Sequence, residues 1–240
     1  MTTALFRSDA YLAQTSARVL AVRPAGDKPA AIILDQTIFY AQGGGQPGDS
    51  GKMEMADGSV TAIVNAVYDG DRVTILHLVE NAAVLPEPGS IVQIHLNWPQ
   101  RLARMKIHTA LHLLTAALPY PVTGGAIGEG EGRLDFDIPA PVPDKAEVAE
   151  KLNSLIRRDA RIFDRYITDA ELLANPGLVK TMSVRPPMGL GRVRLVEIEG
   201  LDLQPCGGTH VRRTGEIGDI LITGIENKGK QNRRVRIALA

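Results

Sequence analysis

The chain changes its hydrophobic period at residues 97–119, NWPQRLARMKIHTALHLLTAALP, and that change limits what each half can become. Before it, apolar residues come in short alternating runs: ARVLAVRP, AAIILDQTIFY, GSVTAIVNAVYDGD, RVTILHLV and GSIVQIHLN. Val and Ile at alternate positions, with Gly, Asp or Asn between runs, predict antiparallel strands. No long helical period interrupts them, so a small β-barrel-like module is expected over residues 1–95.

Inside 97–119, Asn97 is placed as an N-cap and Pro99 lies in the first turn. Leu102, Met105, Thr109, His112 and Ala116 fall on one face at spacings of three and four. Pro119 ends the helix, because the residue before proline avoids the helical region. Further on, RLDFDI reads as a strand. VPDKAEVAEKLNSLIRRDARI reads as a second helix, with Asp144 and Glu147 as a capping box and Val148, Leu152, Leu155 and Ile156 as its buried stripe. DAELLAN predicts a short third helix, and RVRLVEIEGL, IGDILITGIENK and RRVRIALA predict strands. Residues 96–240 are therefore expected to be α+β, with helices packed on an antiparallel sheet.

Composition narrows the function classes. A chain of 240 residues, 44% hydrophobic and 22% charged, suits two folded domains and excludes a disordered or collagenous protein. Lys plus Arg equals Asp plus Glu at 27 each, so no global field draws the molecule to RNA or membrane, and any RNA contact must be local. Polar residues break every apolar run of the N-terminal segment, and no stretch approaches the ~20 apolar residues of a membrane span. A cytoplasmic protein is expected. The single cysteine, Cys206, excludes an intramolecular disulfide.

His108 and His112 stand at i and i+4 on the first helix, so both rings can aim at one point. On that pair alone the plainer reading is chance, since the chain has five histidines. HTALH also lacks the glutamate of HExxH, so no metalloprotease base comes from the usual place. Cys206 and His210 change the balance. In PCGGTH, Gly207 and Gly208 allow a turn that brings a thiolate and an imidazole together. One sulfur and three nitrogens form a donor set that Zn²⁺ accepts tetrahedrally.

These residues resemble a known family. RLARMKIHTALHLLTAAL, GRLDFDI, PCGGTHVRRTGEIG and KGKQNRRVRI are similar to the successive motifs of the alanyl-tRNA editing domain, shared by alanyl-tRNA synthetases and free-standing AlaX proteins. FYAQGGGQPGDSG, residues 39–51, resembles the Gly-rich motif of the barrel-like module preceding that domain. A related domain occurs in threonyl-tRNA synthetases; the Gly-rich motif favours the alanine branch. The resemblance covers nearly the whole chain, leaves no room for an aminoacylation domain, and so implies a trans-acting editor of the longer AlaX type. It implies hydrolysis of the ester in seryl-tRNA(Ala), or glycyl-tRNA(Ala), without ATP, at a zinc site of His108, His112, Cys206 and His210.

The resemblance also implies hydroxyl groups that select serine, for which Thr109 and Thr123 are the candidates, with Gly207 and Gly208 beside the substrate. The sequence departs from the family at Leu111, where the synthetases often have Thr, and at Ala126, where a Gly-Ser step is common. The Gly-rich loop with Gly43, Gly44 and Gly45 is expected to be a plain hairpin connection, or else, as the resemblance implies, Gln46 and Asp49 organise a face toward the active site or the tRNA acceptor end. The loop lacks GKS or GKT, so no nucleotide cofactor is expected. Lys228, Lys230, Arg233, Arg234 and Arg236 can neutralise a few phosphates, and strand alternation puts Arg234 and Arg236 on one side. His77 and His95 receive no role. Four protein donors describe a closed site, whereas catalysis through the ion needs an open position. The alternatives are a non-catalytic RNA-binding module with structural zinc, and a hydrolase of small aminoacyl esters that ignores the tRNA body.

Overall fold

Alternation at period two closes the first half of the chain into a barrel. Strands Gln14–Arg23, Ala30–Leu34, Ile75–Val79, Val60–Tyr68, Gly51–Glu54 and Ile91–Leu96 join in that order, every pairing antiparallel. The computed structural model describes residues 2–23, 30–79, 84–139, 141, 143–182 and 191–240. The chain divides into two units, Met1–Leu102 and Ala103–Ala240, so the break falls inside the first helix rather than before it. Along Val60–Tyr68 and Ile91–Leu96 buried and exposed residues alternate, whereas the apolar run Ala30–Leu34 is buried throughout. Ile32, Leu34, Met53, Ile63 and Ile94 fill the barrel. His77 is buried among them and fully satisfied: Nδ1 donates to the Ile32 carbonyl at 2.9 Å and Nε2 lies 2.7 Å from Thr37 Oγ1.

The Gly-rich segment makes a tight hairpin in which Gly43 and Gln46 exchange both backbone hydrogen bonds. Gly44 and Gly45 sit at φ 58° and 82°, a pair of left-handed residues that a two-residue primed turn demands. Gln46 and Asp49 are buried. Asp49 Oδ2 accepts the Tyr40 N–H at 2.6 Å and pairs with the guanidinium of Arg101, which also donates to the carbonyls of Ala10 and Ile38. Within this unit, then, the motif's carboxylate neutralises a fully buried arginine.

Helix α1, Trp98–Ala117, opens where Asn97 Oδ1 accepts the Gln100 N–H at 3.3 Å. Its second part belongs to the second unit and differs from the expected one-sided stripe: every residue from Ile107 to Thr115 is buried. A four-stranded antiparallel sheet, ordered Ile220–Asn227, Asn232–Leu239, Glu131–Asp137, Val122–Ile127, packs on it. A Cβ on Gly132 would stand 2.6 Å from Ile107 Cγ2 and 3.3 Å from Leu111 Cδ1, so this glycine allows the helix its close approach. Leu111 is thereby a packing residue of the helix–sheet contact.

Helix α2, Lys145–Ile156, is capped by Asp144, which accepts from the Ala146 and Glu147 N–H groups; Val148, Leu152 and Ile156 are its buried residues. The expected helix ran on to Ile162, but Asp159 turns left-handed at φ 49° and ends it. Ile162–Ile167 instead forms the outer strand of a three-stranded antiparallel sheet with Val193–Ile198 and Asp202–Pro205. Helix α3, Asp169–Ala174, opens on a reciprocal Thr168–Glu171 capping box. The Asn153 side chain of α2 makes two 2.9 Å hydrogen bonds to the N–H and carbonyl of Ile220 on the outer strand of the four-stranded sheet. Among the described residues no helix is long and apolar enough to cross a membrane.

Candidate metal centre

Two elements distant in sequence build the site. Helix α1 presents His108 and His112 one turn apart, on a face adjacent to the Ile107 and Leu111 face that meets the sheet. The strand Asp202–Pro205 delivers the turn that holds Cys206 and His210. That turn is tied down by Arg194, whose Nη1 donates to the carbonyls of Cys206 and Gly208 at 2.8 and 2.9 Å while the other edge of the guanidinium pairs with Asp164. Neither Gly207 nor Gly208 has a positive φ, so the glycines are not needed for a left-handed turn. Instead the Gly208 N–H donates to Cys206 Sγ at 3.4 Å, and Gly207 is exposed beside it.

The donor atoms of His108, His112, Cys206 and His210 all lie within 4.8 Å of one another. Cys206 Sγ is 3.4 Å from His108 Nε2 and 3.3 Å from His210 Nε2. A tetrahedral ion with sulfur at ~2.3 Å and nitrogen at ~2.0 Å sets its donors about 3.3 to 3.6 Å apart, so the quartet fits a metal ion. The three imidazoles are buried and Cys206 is half-buried, which leaves Cys206 and Gly207 as the accessible side.

Hydrogen bonds behind the quartet select which ring nitrogen is free. Thr109 is buried inside α1; its hydroxyl donates to the Met105 carbonyl at 2.9 Å and accepts the Val211 N–H at 3.3 Å. Its oxygen lies 3.1 Å from His210 Nδ1, which therefore carries the proton and leaves Nε2 for an ion. His112 Nδ1 lies 3.2 Å from Asp202 Oδ2, with the same consequence.

The charges agree with this arrangement. Burial alone would raise the Cys206 thiol, but the imidazoles of His108 and His210 packed beside it outweigh that and hold the group well below its ordinary value, as a thiolate. Burial and the charge of His108 push His210 well down, keeping it neutral. Burial opposes protonation of His112 as well, yet the Asp202 hydrogen bond and Cys206 lift it to about 9. An arriving ion must displace that proton.

The remaining expected site residues lie elsewhere. Thr123 sits on the strand Val122–Ile127, its hydroxyl 3.1 Å from the Asp135 carbonyl and 3.3 Å from Asn232 Oδ1. Ala126 pairs with Arg133 across the sheet. Arg233 is buried and folds back on the carbonyls of Gly229, Lys230 and Asn232. Arg234 and Arg236 share the opposite face of their strand, paired with Asp135 and Glu226, and Lys228 also pairs with Glu226. Lys230 is exposed. Arg133 stands across from Arg236 and shares Asp135 with Arg234. Sequence reading missed Asp202, Lys180 and Arg194; the polar residues alternating with Leu203 in DLQPC were the available signal for the first.

Known proteins resemble this chain in sequence. The family model of the threonyl and alanyl tRNA synthetase second additional domain matches residues 193–236, and that of class II (A) tRNA synthetases matches residues 11–100. The alanyl-tRNA editing protein AlaX-M of Methanosarcina acetivorans is 34% identical over 247 residues, covering 100% of this chain and 99% of that protein. AlaX-M of Saccharolobus solfataricus is 33% identical over 240 residues, 98% of each. The alanine–tRNA ligase of Pyrobaculum calidifontis is 34% identical over 237 residues, 92% of this chain but 25% of the ligase.

Proposed function

The chain belongs to the alanyl-tRNA editing family, and from that premise we propose that it is a trans-acting hydrolase that removes serine from mischarged seryl-tRNA(Ala), with glycyl-tRNA(Ala) as a second substrate. The observation that carries the reading is the convergence of His108, His112, Cys206 and His210 on one point. Zinc is the proposed ion, because a thiolate with three imidazoles at tetrahedral spacing suits it. When bound, zinc would supply a local positive charge that orients the aminoacyl group and a nearby water. The trans-acting part of the proposal draws on the likeness to the AlaX-M editing proteins, which are matched over 99% and 98% of their own length.

A second site is needed because a pocket shaped for alanine cannot exclude smaller glycine and only weakly rejects an added hydroxyl. Hydrolysis places the hydroxyl of water on the acyl carbon and returns a proton to the departing ribose oxygen, which needs neither ATP nor a nucleotide cofactor. The ester approaches along Cys206 and Gly207, the accessible side. Thr109 acts by holding His210 rather than by reading the substrate, since its hydroxyl is spent on Met105 and Val211. Asp202 is engaged by His112 and Lys180, so we assign it no part as a general base. Arg133, Arg234 and Arg236, with Lys228 and Lys230, supply the charge for the acceptor end of tRNA(Ala). The work is placed in the cytoplasm, where tRNA is charged.

A second reading has one specific observation behind it: four protein donors saturate a tetrahedral ion, as in structural sites. One experiment separates the two. Serine release from seryl-tRNA(Ala) is timed beside alanine release from alanyl-tRNA(Ala), for wild type and Cys206→Ala, with bound zinc quantified. Rapid serine release that spares alanine and disappears with the metal is the expected result. Tight tRNA binding by fully loaded wild type with no release above background leaves only a structural zinc module.

A further inference from the structure

The carboxylate behind His112 sits in a closed hydrogen-bonded network. Asp202 has no exposed side-chain surface. Its Oδ2 lies 3.2 Å from His112 Nδ1 and accepts Gln204 Nε2 at 2.7 Å, while Oδ1 pairs with Lys180 Nζ. Thr115 Oγ1 accepts from Lys180 and Gln204, each at 3.3 Å, and donates to the carbonyl of His112 itself at 2.8 Å. The network therefore grips His112 at both its ring and its backbone. Lys180 is itself anchored: its carbonyl accepts the Val122 N–H at 2.9 Å, and the Met182 N–H donates to the Val122 carbonyl at 2.8 Å.

We propose that Asp202 is a positioning residue for the metal centre, held by Lys180, Gln204 and Thr115 so that His112 keeps its proton on Nδ1 and offers Nε2 to the ion. The physical reason is that a carboxylate accepts only. Facing Asp202, His112 must present an N–H; rotating the ring by half a turn would put a carbon there and leave a buried carboxylate oxygen short of a donor. The orientation of the ring is thus set by the network before any ion arrives, so that loss of the Nε2 proton leaves a lone pair already aimed at the ion. Lys180 balances the charge of Asp202, which keeps the carboxylate ionised while it is buried. This inference rests on the metal-site part of the functional proposal and not on the substrate.

The test uses the full chain and the metal alone. Zinc affinity is measured by competition with a chelator for wild type and Asp202→Asn, and the Co²⁺ spectrum of each reports thiolate ligation and tetrahedral geometry. Asp202→Asn is expected to bind roughly 10- to 100-fold more weakly, with Cys206 still ligating. Affinity within about twofold of wild type, in a variant with unchanged circular dichroism, would overturn the proposal, since loss of an outer-layer orienting partner costs more than that. A second readout needs no variant: long-range ¹H–¹⁵N spectra of the zinc-loaded wild type show which nitrogen of His112 bears the proton. Nδ1–H is expected, and Nε2–H overturns the proposal even if the variant does not fold. A wild type that loads zinc with Nδ1–H on His112 but releases no serine refutes the functional reading and leaves this one standing.

Discussion

Gly207 has no side chain at an exposed corner of the Cys206 turn, and a Cβ built there meets nothing within 4 Å. Its φ is not positive, so a larger residue costs the fold little. Gly207→Val should therefore retain its zinc and its melting temperature, while kcat/KM for serine release falls by about tenfold or more through blocked approach. An undiminished rate would mean that the ester enters elsewhere. The single residues that matter most divide by how visible they were. The cluster of His108, His112, Cys206 and His210 could be read because i, i+4 spacing on a helix and CxxxH in a turn are local patterns. The pairing of Asp202 with Lys180 could not, because it joins residues 22 apart through side chains alone, a relation no periodicity encodes. Thr109 was expected as a serine-reading hydroxyl; in the fold that hydroxyl contacts the Met105 carbonyl, the Val211 N–H and His210 Nδ1, partners that no local pattern announces.

Helix α1 owes its position to the sheet beneath it, and Gly132 is where the two come closest. Gly132→Ala would force Ile107 Cγ2 off a Cβ 2.6 Å away, one residue before His108. Overpacking of this kind costs roughly 1 to 3 kcal/mol, so thermal unfolding of the variant should shift down by several degrees, with weaker zinc binding if the helix moves outward; an unchanged melt would show that Ile107 re-packs freely. Of the elements, the barrel strands and α1 followed directly from their periods, two and 3.6. Val122–Ile127 was hidden because Gly124 and Gly125 remove the apolar signal of a strand. The expected helix ran on into Ile162 and the rest of Ile162–Ile167 received no element, because Arg157, Arg158 and Ala160 suit a helix and the left-handed Asp159 leaves no mark in composition.

At the scale of the molecule, acid should weaken the barrel through one buried histidine of the first unit. Burial pushes His77 down to about 4, against 6.5 ordinarily, so it is neutral when folded. Between those values the unfolded chain binds a proton that the folded chain refuses. Stability is thus complete above pH 6.5 and falls as pH drops toward 4, by roughly 3 kcal/mol over the window. Denaturant titrations at several pH values on wild type and His77→Gln check this: the variant should lose that part of the slope, and equal slopes would refute it. The paired side-chain bonds from Asn153 to Ile220 carry a different consequence. A sheet with an open border can be extended by any passing strand, and this border displays the half-exposed Leu221. By occupying the hydrogen-bonding groups of Ile220, a single helix amide closes the border at that end and leaves an incoming strand no backbone partner there.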